Sequence, residues 1–298
     1  MQQTMTFDDD KSERNNWNEI VLEDLAANWN PRIARIIPKY LYRRISSILH
    51  IDELNAFLTE TANDDPLTFL KKAVKFFDLQ IKFVGFEKME MLKDQQNLFI
   101  VANHPIGGPE GLALMSRTLP IFPEARILIQ SMLYAVAPMR EISIYNGNML
   151  RSTLEAVKNG SPIVVFPSGY CSRRLSNKKI CDPAWMPSFV KLAKRYERTI
   201  LPIHISGRLG ERMYRWYTLR QKLHIQLTVE TLYLVDEMFR YKGKELVFTV
   251  GDPISDRILT NDVSSEEWAS RIRQYVYLLE ENANAQFNPA LCNTLCLK

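Results

Sequence analysis

No stretch of this chain is long and apolar enough to cross a bilayer. A membrane helix needs roughly 18 to 20 predominantly apolar residues. The longest candidate here, Leu119 to Met139, is broken by Glu124, Arg126 and three prolines. The first eighteen residues are polar and acidic, without the apolar stretch of a secretory signal. Internal repeats and low-complexity tracts are absent. The four cysteines, Cys171, Cys181, Cys292 and Cys296, form no disulfide framework, and His50, His104, His204 and His224 are too scattered to complete a zinc set around them. Reduced thiols in a reducing compartment, with no metal, are therefore expected. A formal net charge of only +4 leaves partners to be read from local charge. No nucleic-acid module appears, so nucleic acid is not an expected partner. These absences point to a protein that is cytoplasmic or attached peripherally to a membrane.

What is present is a globular composition, 46% hydrophobic and 24% charged, over 298 residues. That length suits one α/β domain with a helical extension. Residues 1–16 read as a disordered lead and 17–78 as a helical N-terminal segment. An α/β domain is expected over 79–262, and a C-terminal helix with its tail over 263–298. After the cap-like Asn30-Pro31, apolar residues from Ile33 to Leu49 recur at helical spacing, opposite Arg32, Arg35, Lys39 and Arg43. No acid occurs between Pro31 and Ile51, and Pro38 is expected to kink the helix. Helices are also expected over Asp52 to Thr61 and Leu67 to Phe77.

Short apolar runs then alternate with helical patterns. The runs are Ile81 to Phe86, Leu98 to Ala102, Arg126 to Gln130, Ile142 to Tyr145, Ile163 to Phe166 and Ile200 to Ile205. The helical patterns are Leu112 to Arg117, Ser131 to Ala137, Met149 to Lys158 and Met186 to Tyr196. This alternation predicts a mostly parallel central sheet flanked by helices on both faces. Leu246 to Val250 reads as a late strand, and Ser264 to Asn282 as a terminal helix with a serine cap and acids in its first turn.

The chemistry concentrates where strands end, the place ligands gather in open parallel sheets. Asn103-His104-Pro105-Ile106-Gly107-Gly108-Pro109-Glu110 leaves the run Leu98 to Ala102 and opens a helix. An imidazole can accept a proton near neutral pH, and an acid six residues on can orient it. His104 and Glu110 are thus the candidate catalytic pair; the plainer reading is a histidine capping a tight turn. Asn103, Gly107 and Gly108 are candidate binding residues, the glycine N–H groups being expected near a thioester oxygen or a phosphate. The second piece, Phe166-Pro167-Ser168-Gly169-Tyr170-Cys171-Ser172-Arg173-Arg174, follows another strand. Pro167, Ser168 and Gly169 open its backbone, and Arg173 or Arg174, beside Lys178 and Lys179, suits an anionic head group or phosphopantetheine. The Gly-x-Ser-x-Gly elbow that would make Ser168 a nucleophile is missing. A third piece mixes Arg208, Arg212, Arg215, Arg220 and Lys222 with Met213, Tyr214, Trp216 and Tyr217 on a helix. It fits a membrane interface or, equally, an ordinary surface helix with a packed aromatic face.

Asn103-His104…Glu110, then Val164-Val165-Phe166-Pro167-Ser168-Gly169, then Ile200-Leu201-Pro202-Ile203 resemble, in order, three blocks of the glycerolipid (PlsC-like) acyltransferase family. The resemblance spans about residues 35 to 255 and is closest to the bacterial hemolysin-like branch, which acylates lyso-ornithine lipid, glycine lipids or lysophosphatidic acid. Departures exist: the acid is Glu110 rather than Asp and lies one residue further on, and Ser168 stands where relatives carry Glu or Ala. Ile142 to Asn146 lacks the arginine many relatives place near an acceptor phosphate, which weakens the case for a glycerol-phosphate acceptor. The resemblance implies a peripheral enzyme at the cytoplasmic face of the membrane. It would move a fatty acyl chain from acyl carrier protein or coenzyme A to a lyso-lipid or amino-acid-lipid acceptor, with His104 as general base. The thioester is a co-substrate, and no cofactor is expected. The rivals are a thioesterase or esterase using Ser168 or Cys171 with His104, and a non-catalytic lipid-binding relative. His104, Glu110 and Ser168-Gly169 are expected to open on one cleft.

Overall fold

The computed structural model describes residues 38–129, 136–144, 149–175, 179–222 and 230–290. Three helices come first: α1 (Lys39–Ile48), α2 (Ile51–Thr61) and α3 (Pro66–Phe76). Pro38 does not kink a helix among the described residues. It stands in extended backbone as the N-cap of α1, where a missing N–H costs nothing. The lead 1–16, the remainder of the expected amphipathic helix including Arg32 and Arg35, and Cys292 and Cys296 lie outside the described residues. So does nearly all of the helix expected over Ser131 to Ala137. Asp65 caps α3 by accepting the Thr68 N–H, and Pro66 supplies a first helical position that needs no donor.

The alternation that follows runs β1 (Gln80–Val84), α4 (Glu87–Glu90), β2 (Leu98–Ala102), α5 (Pro109–Thr118), β3 (Arg126–Leu128), β4 (Ser143–Ile144), α6 (Met149–Lys158) and β5 (Ile163–Val165). It continues with the hairpin β6 (Arg173–Arg174) and β7 (Ile180–Cys181), α7 (Ser188–Arg195), β8 (Thr199–Ile205), α8 (Glu211–Lys222), α9 (Glu230–Arg240), β9 (Glu245–Val250) and α10 (Ser265–Glu281). The seven-stranded sheet has the order β1-β9-β8-β2-β5-β3-β4. Its pairings are parallel except for β8 with β9. The fold is therefore α/β with a mostly parallel central sheet flanked by helices.

Strand β2 lies at the centre and is buried along its length. Its side chains alternate between two cores, as a pleat requires. Leu98, Ile100 and Ala102 pack with α3, α5 and Phe239 of α9, whereas Phe99 and Val101 pack with Phe189 of α7 and Trp268 and Ile272 of α10. Helices α2 and α3 thus share the first core with the sheet, and the terminal helix closes the second. Ser264 caps α10 by accepting the Glu267 N–H at 3.1 Å, with Glu266 and Glu267 in the first turn. Three elements have no counterpart in the sequence reading: the short helix α4, the β6–β7 hairpin, whose strands are two residues each, and helix α9.

Candidate active site

Strand β2 ends at Asn103, whose side chain extends the ladder to β8. Its Nδ2 donates to the Ile205 carbonyl at 2.8 Å, and its Oδ1 accepts the Ile205 N–H at 2.6 Å. Both ends of the amide are thus engaged as a brace, so Asn103 fixes the point where the chain leaves the sheet.

The next residue is His104. Its Nδ1 stands 3.1 Å from Glu110 Oε1, and its ring stacks on Phe166 with centroids 4.5 Å apart. The imidazole is 19% exposed while Glu110 is fully buried. Glu110 lies in the first turn of α5 and reaches back over its own loop. Oε1 accepts the N–H groups of Ile106 at 2.8 Å and Gly107 at 2.7 Å, and Oε2 accepts that of Gly108 at 3.0 Å. Burial pushes the Glu110 carboxyl upward, but the facing imidazole and the backbone donors outweigh it, and the pKa settles at about 2. The acid is therefore ionised at any working pH. This corrects one expectation. The Gly107 and Gly108 N–H groups do not face a thioester oxygen or phosphate, because they hold Glu110.

The glycines are needed for close approach. Gly107 has φ +105°, and a β-carbon there would lie 2.5 Å from Cys171 Sγ. At Gly108 it would lie 3.0 Å from Met238 Sδ, so α9 sits directly over this turn.

The loop after β5 wraps the other side of the histidine. Ser172 donates its N–H to the His104 carbonyl at 2.7 Å, which brings the Pro167-Ser168-Gly169 turn and the His104 turn together. Gly169 takes φ +65° and donates to the Phe166 carbonyl at 3.0 Å, and the Pro167 carbonyl accepts the Met186 N–H at 2.9 Å. The Ser168 hydroxyl is buried and donates to the Tyr170 carbonyl at 2.7 Å. Cys171 is buried too, and burial, aided by the Glu110 charge, pushes its thiol up to about 12. Neither side chain is set up as a nucleophile for His104, which removes the geometric basis of the hydrolase alternative.

The hairpin separates the two arginines. Arg174 Nη2 lies 2.6 Å from each carboxylate oxygen of Glu211 on α8. The Arg173 guanidinium instead sits 4.5 Å over the Tyr217 ring of the same helix. Lys178 lies outside the described residues.

Asp182 was not marked by the sequence. It is fully buried, and both oxygens lie 3.2 Å from the His104 N–H. Oδ1 also accepts from Ser172 Oγ at 2.7 Å and Oδ2 from Trp185 Nε1 at 3.0 Å. Its N–H donates to Tyr277 Oη at 2.7 Å and its carbonyl accepts from Arg273, both on α10. The histidine backbone is thereby tied to the terminal helix. Among the described residues no cluster of His, Cys, Asp or Glu could hold a metal ion, and no helix is long and apolar enough to cross a membrane.

A histidine paired with a buried carboxylate at the carboxyl ends of parallel strands is the equipment of an α/β enzyme. The family model described as acyltransferase matches residues 24–286, and the chain belongs to that family; it is an acyltransferase. It is 29% identical to the lyso-glycine lipid O-acyltransferase of Phocaeicola vulgatus over 253 residues, 82% of this chain and 89% of the relative. To the protein of the same name from Bacteroides thetaiotaomicron it is 28% identical over 260 residues, 84% of this chain and 93% of the relative. Among solved structures it is similar to the 1-acyl-sn-glycerophosphate acyltransferase of Thermotoga maritima, with a TM-score of 0.47 and 16% identity over 72% of this chain and 78% of that one.

Proposed function

We propose that this acyltransferase moves a fatty acyl chain from an acyl thioester, on acyl carrier protein or coenzyme A, to the hydroxyl of a lyso-lipid. The observation that carries the mechanism is the His104–Glu110 pair at 3.1 Å. Glu110 faces Nδ1 as a charge partner at 3.1 Å, short of hydrogen-bond geometry in this conformation, and Nε2 has no protein partner among the described residues. Nε2 takes the proton of the acceptor hydroxyl as its oxygen attacks the thioester carbonyl, and Glu110 stabilises the imidazolium. The tetrahedral intermediate collapses, the carbon–sulfur bond breaks, and the departing thiolate receives the proton from the imidazolium. An ester and a free thiol result, with no covalent enzyme intermediate. The relatives' name, lyso-glycine lipid O-acyltransferase, supports an amino-acid-based lyso-lipid as the acceptor.

A lipid acceptor places the work at a membrane surface, at the cytoplasmic face where the thioester carriers are. Exposed Tyr40, Leu41 and Ile48 on α1 and Trp216 and Leu219 on α8 supply apolar side chains for such a surface, with Lys39, Arg43 and Arg44 alongside. The test uses a radiolabelled acyl thioester with and without lyso-lipid. Wild type should form the acylated lipid only when the acceptor is present, and His104→Ala, still folded by circular dichroism, should not. Release of free fatty acid without acceptor would mark a hydrolase.

A further inference from the structure

Beside the His104 turn, at the same end of the sheet, lies a hollow of about 570 Å³, a size suited to a small-molecule group. It opens where β8 ends and β9 begins, and Arg208, Gly210, Glu237, Arg240, Tyr241 and Lys244 line it. Gly207 joins it to the catalytic turn. This residue takes φ +114°, and a β-carbon on it would run into the Tyr241 hydroxyl and lie 3.3 Å from Ile106 Cδ1. Ile106 is the residue whose N–H holds Glu110.

The charges of this hollow are unevenly committed. Arg240 already holds Asp236, its Nε 2.8 Å from Oδ2. Glu211 lines the hollow too; its hydrogen bond from Arg174, and after it the charge of nearby Arg208, hold its carboxyl below the usual range. Lys244 rests over the Tyr241 ring at 5.0 Å, and neither it nor Arg208 has a carboxylate at ion-pair distance among the described residues. Glu237 is buried; its Oε2 accepts the Gly210 N–H at 2.6 Å, and its Oε1, also buried, has no hydrogen-bond partner among the described residues. A buried acceptor left unmade is costly, so it calls for a donor. The hollow thus offers an anion two cations that stand outside the ion pairs of the described residues, and one oxygen for a neighbouring N–H. A phosphate monoester supplies the anion but brings its second negative charge toward Glu237. A carboxylate one carbon from an amide N–H supplies both, and its plane matches the arginine fork.

Resting on the acyltransferase reading above, we infer that this hollow is the head-group subsite of the acceptor and takes an N-acyl amino acid. Arg208 and Lys244 bind the carboxylate, and Glu237 accepts the amide N–H.

Equilibrium dialysis tests binding apart from chemistry, with radiolabelled N-octanoylglycine and its methyl ester below their micellar concentrations. Wild type should bind the acid about tenfold more tightly than the ester, the equivalent of one charge-assisted interaction. Arg208→Ala, an exposed and fold-safe change, should remove that difference. In Glu237→Gln the Gly210 N–H keeps the amide oxygen, so the amide NH2 meets the ligand's N–H and binding of both compounds should weaken. Equal wild-type binding of acid and ester, or wild-type binding by both variants, would overturn the subsite. With N-(3-hydroxypalmitoyl)glycine as acceptor, Arg208→Ala should raise the acceptor KM about tenfold and leave kcat and the donor KM unchanged. Arg208 dependence with lysophosphatidate alone would reassign the hollow to phosphate and defeat the proposal. Absence of any transfer by wild type would defeat the enzyme reading, while the dialysis would still decide the subsite.

Discussion

Glu110 illustrates how one carboxylate serves both folding and chemistry. Three backbone N–H groups and an imidazole converge on it, so Glu110→Gln removes the charge and turns an NH2 toward at least one of those donors. Acyl transfer should fall steeply; the comparable neutralisation in serine proteases costs about 10⁴-fold in turnover. Glu110→Asp keeps the charge, shortens its reach, and should retain more activity than Gln in the same assay. The pH dependence of stability follows from the sign of the shift. The folded pKa, about 2, lies below the ordinary 4.5, so the stabilisation is fully present above about pH 4.5 and is lost as pH falls toward 2. That contribution is of order 3 kcal/mol. Urea titrations should show wild type losing more stability than Glu110→Gln between pH 5 and 3. At Cys171 the expectation is inertness: with the thiol pushed up to about 12, peptide mapping should find it unalkylated in native protein, and Cys171→Ala should keep acyl transfer within severalfold.

At the scale of elements, the histidine is positioned by pieces far from it in sequence. Asp182 accepts from the His104 backbone, Ser172 and Trp185 at once. Asn at 182 offers a single acceptor oxygen to these three donors and adds two donors with nowhere to go. Asp182→Asn should lower the unfolding midpoint, by about 2 to 4 kcal/mol equivalent, and reduce kcat more than KM although the side chain meets no substrate. The Leu98 to Ala102 run, the Met149 to Lys158 helix and the capped terminal helix were legible because their periodicity runs for several residues and is bounded by turn or cap residues. The His104 turn was legible for the same reason, being a local motif at a strand end. The β6–β7 hairpin was not: strands of two residues carry no period, and Arg173 and Arg174 read as a basic loop. Asp182 was invisible because its partners lie up to 95 positions away and no local pattern marks the convergence. The fates of the Gly107 and Gly108 donors also required coordinates, since spacing alone does not say which acceptor an N–H meets.

For the whole molecule, two exposed apolar patches and a basic α1 predict reversible attachment to lipid. Each basic residue near an anionic surface contributes about 1 kcal/mol, and the effect is screened over roughly 8 to 10 Å at physiological salt. Sedimentation with anionic vesicles should therefore weaken as salt rises and exceed that with neutral vesicles. Equal binding to both would leave only the apolar part. The two hydrophobic cores on either face of the sheet also set what a truncation costs. Removing α10 strips Trp268, Ile272, Tyr275 and Leu279 from the second core as well as Arg273 and Tyr277 from Asp182.

The tie between Asp182 and α10 also orders events during synthesis. Chains emerge from the ribosome at about 5 to 20 residues per second, N-terminus first. The His104 turn is made first, and the groups on α10 that anchor Asp182, Arg273 and Tyr277, are made long after it. A nascent chain stalled before residue 273 carries its histidine and its carboxylate without the anchor behind them. Ribosome-held intermediates that lack α10 are thus expected to be silent toward acyl thioesters, and activity to arise only once α10 has emerged.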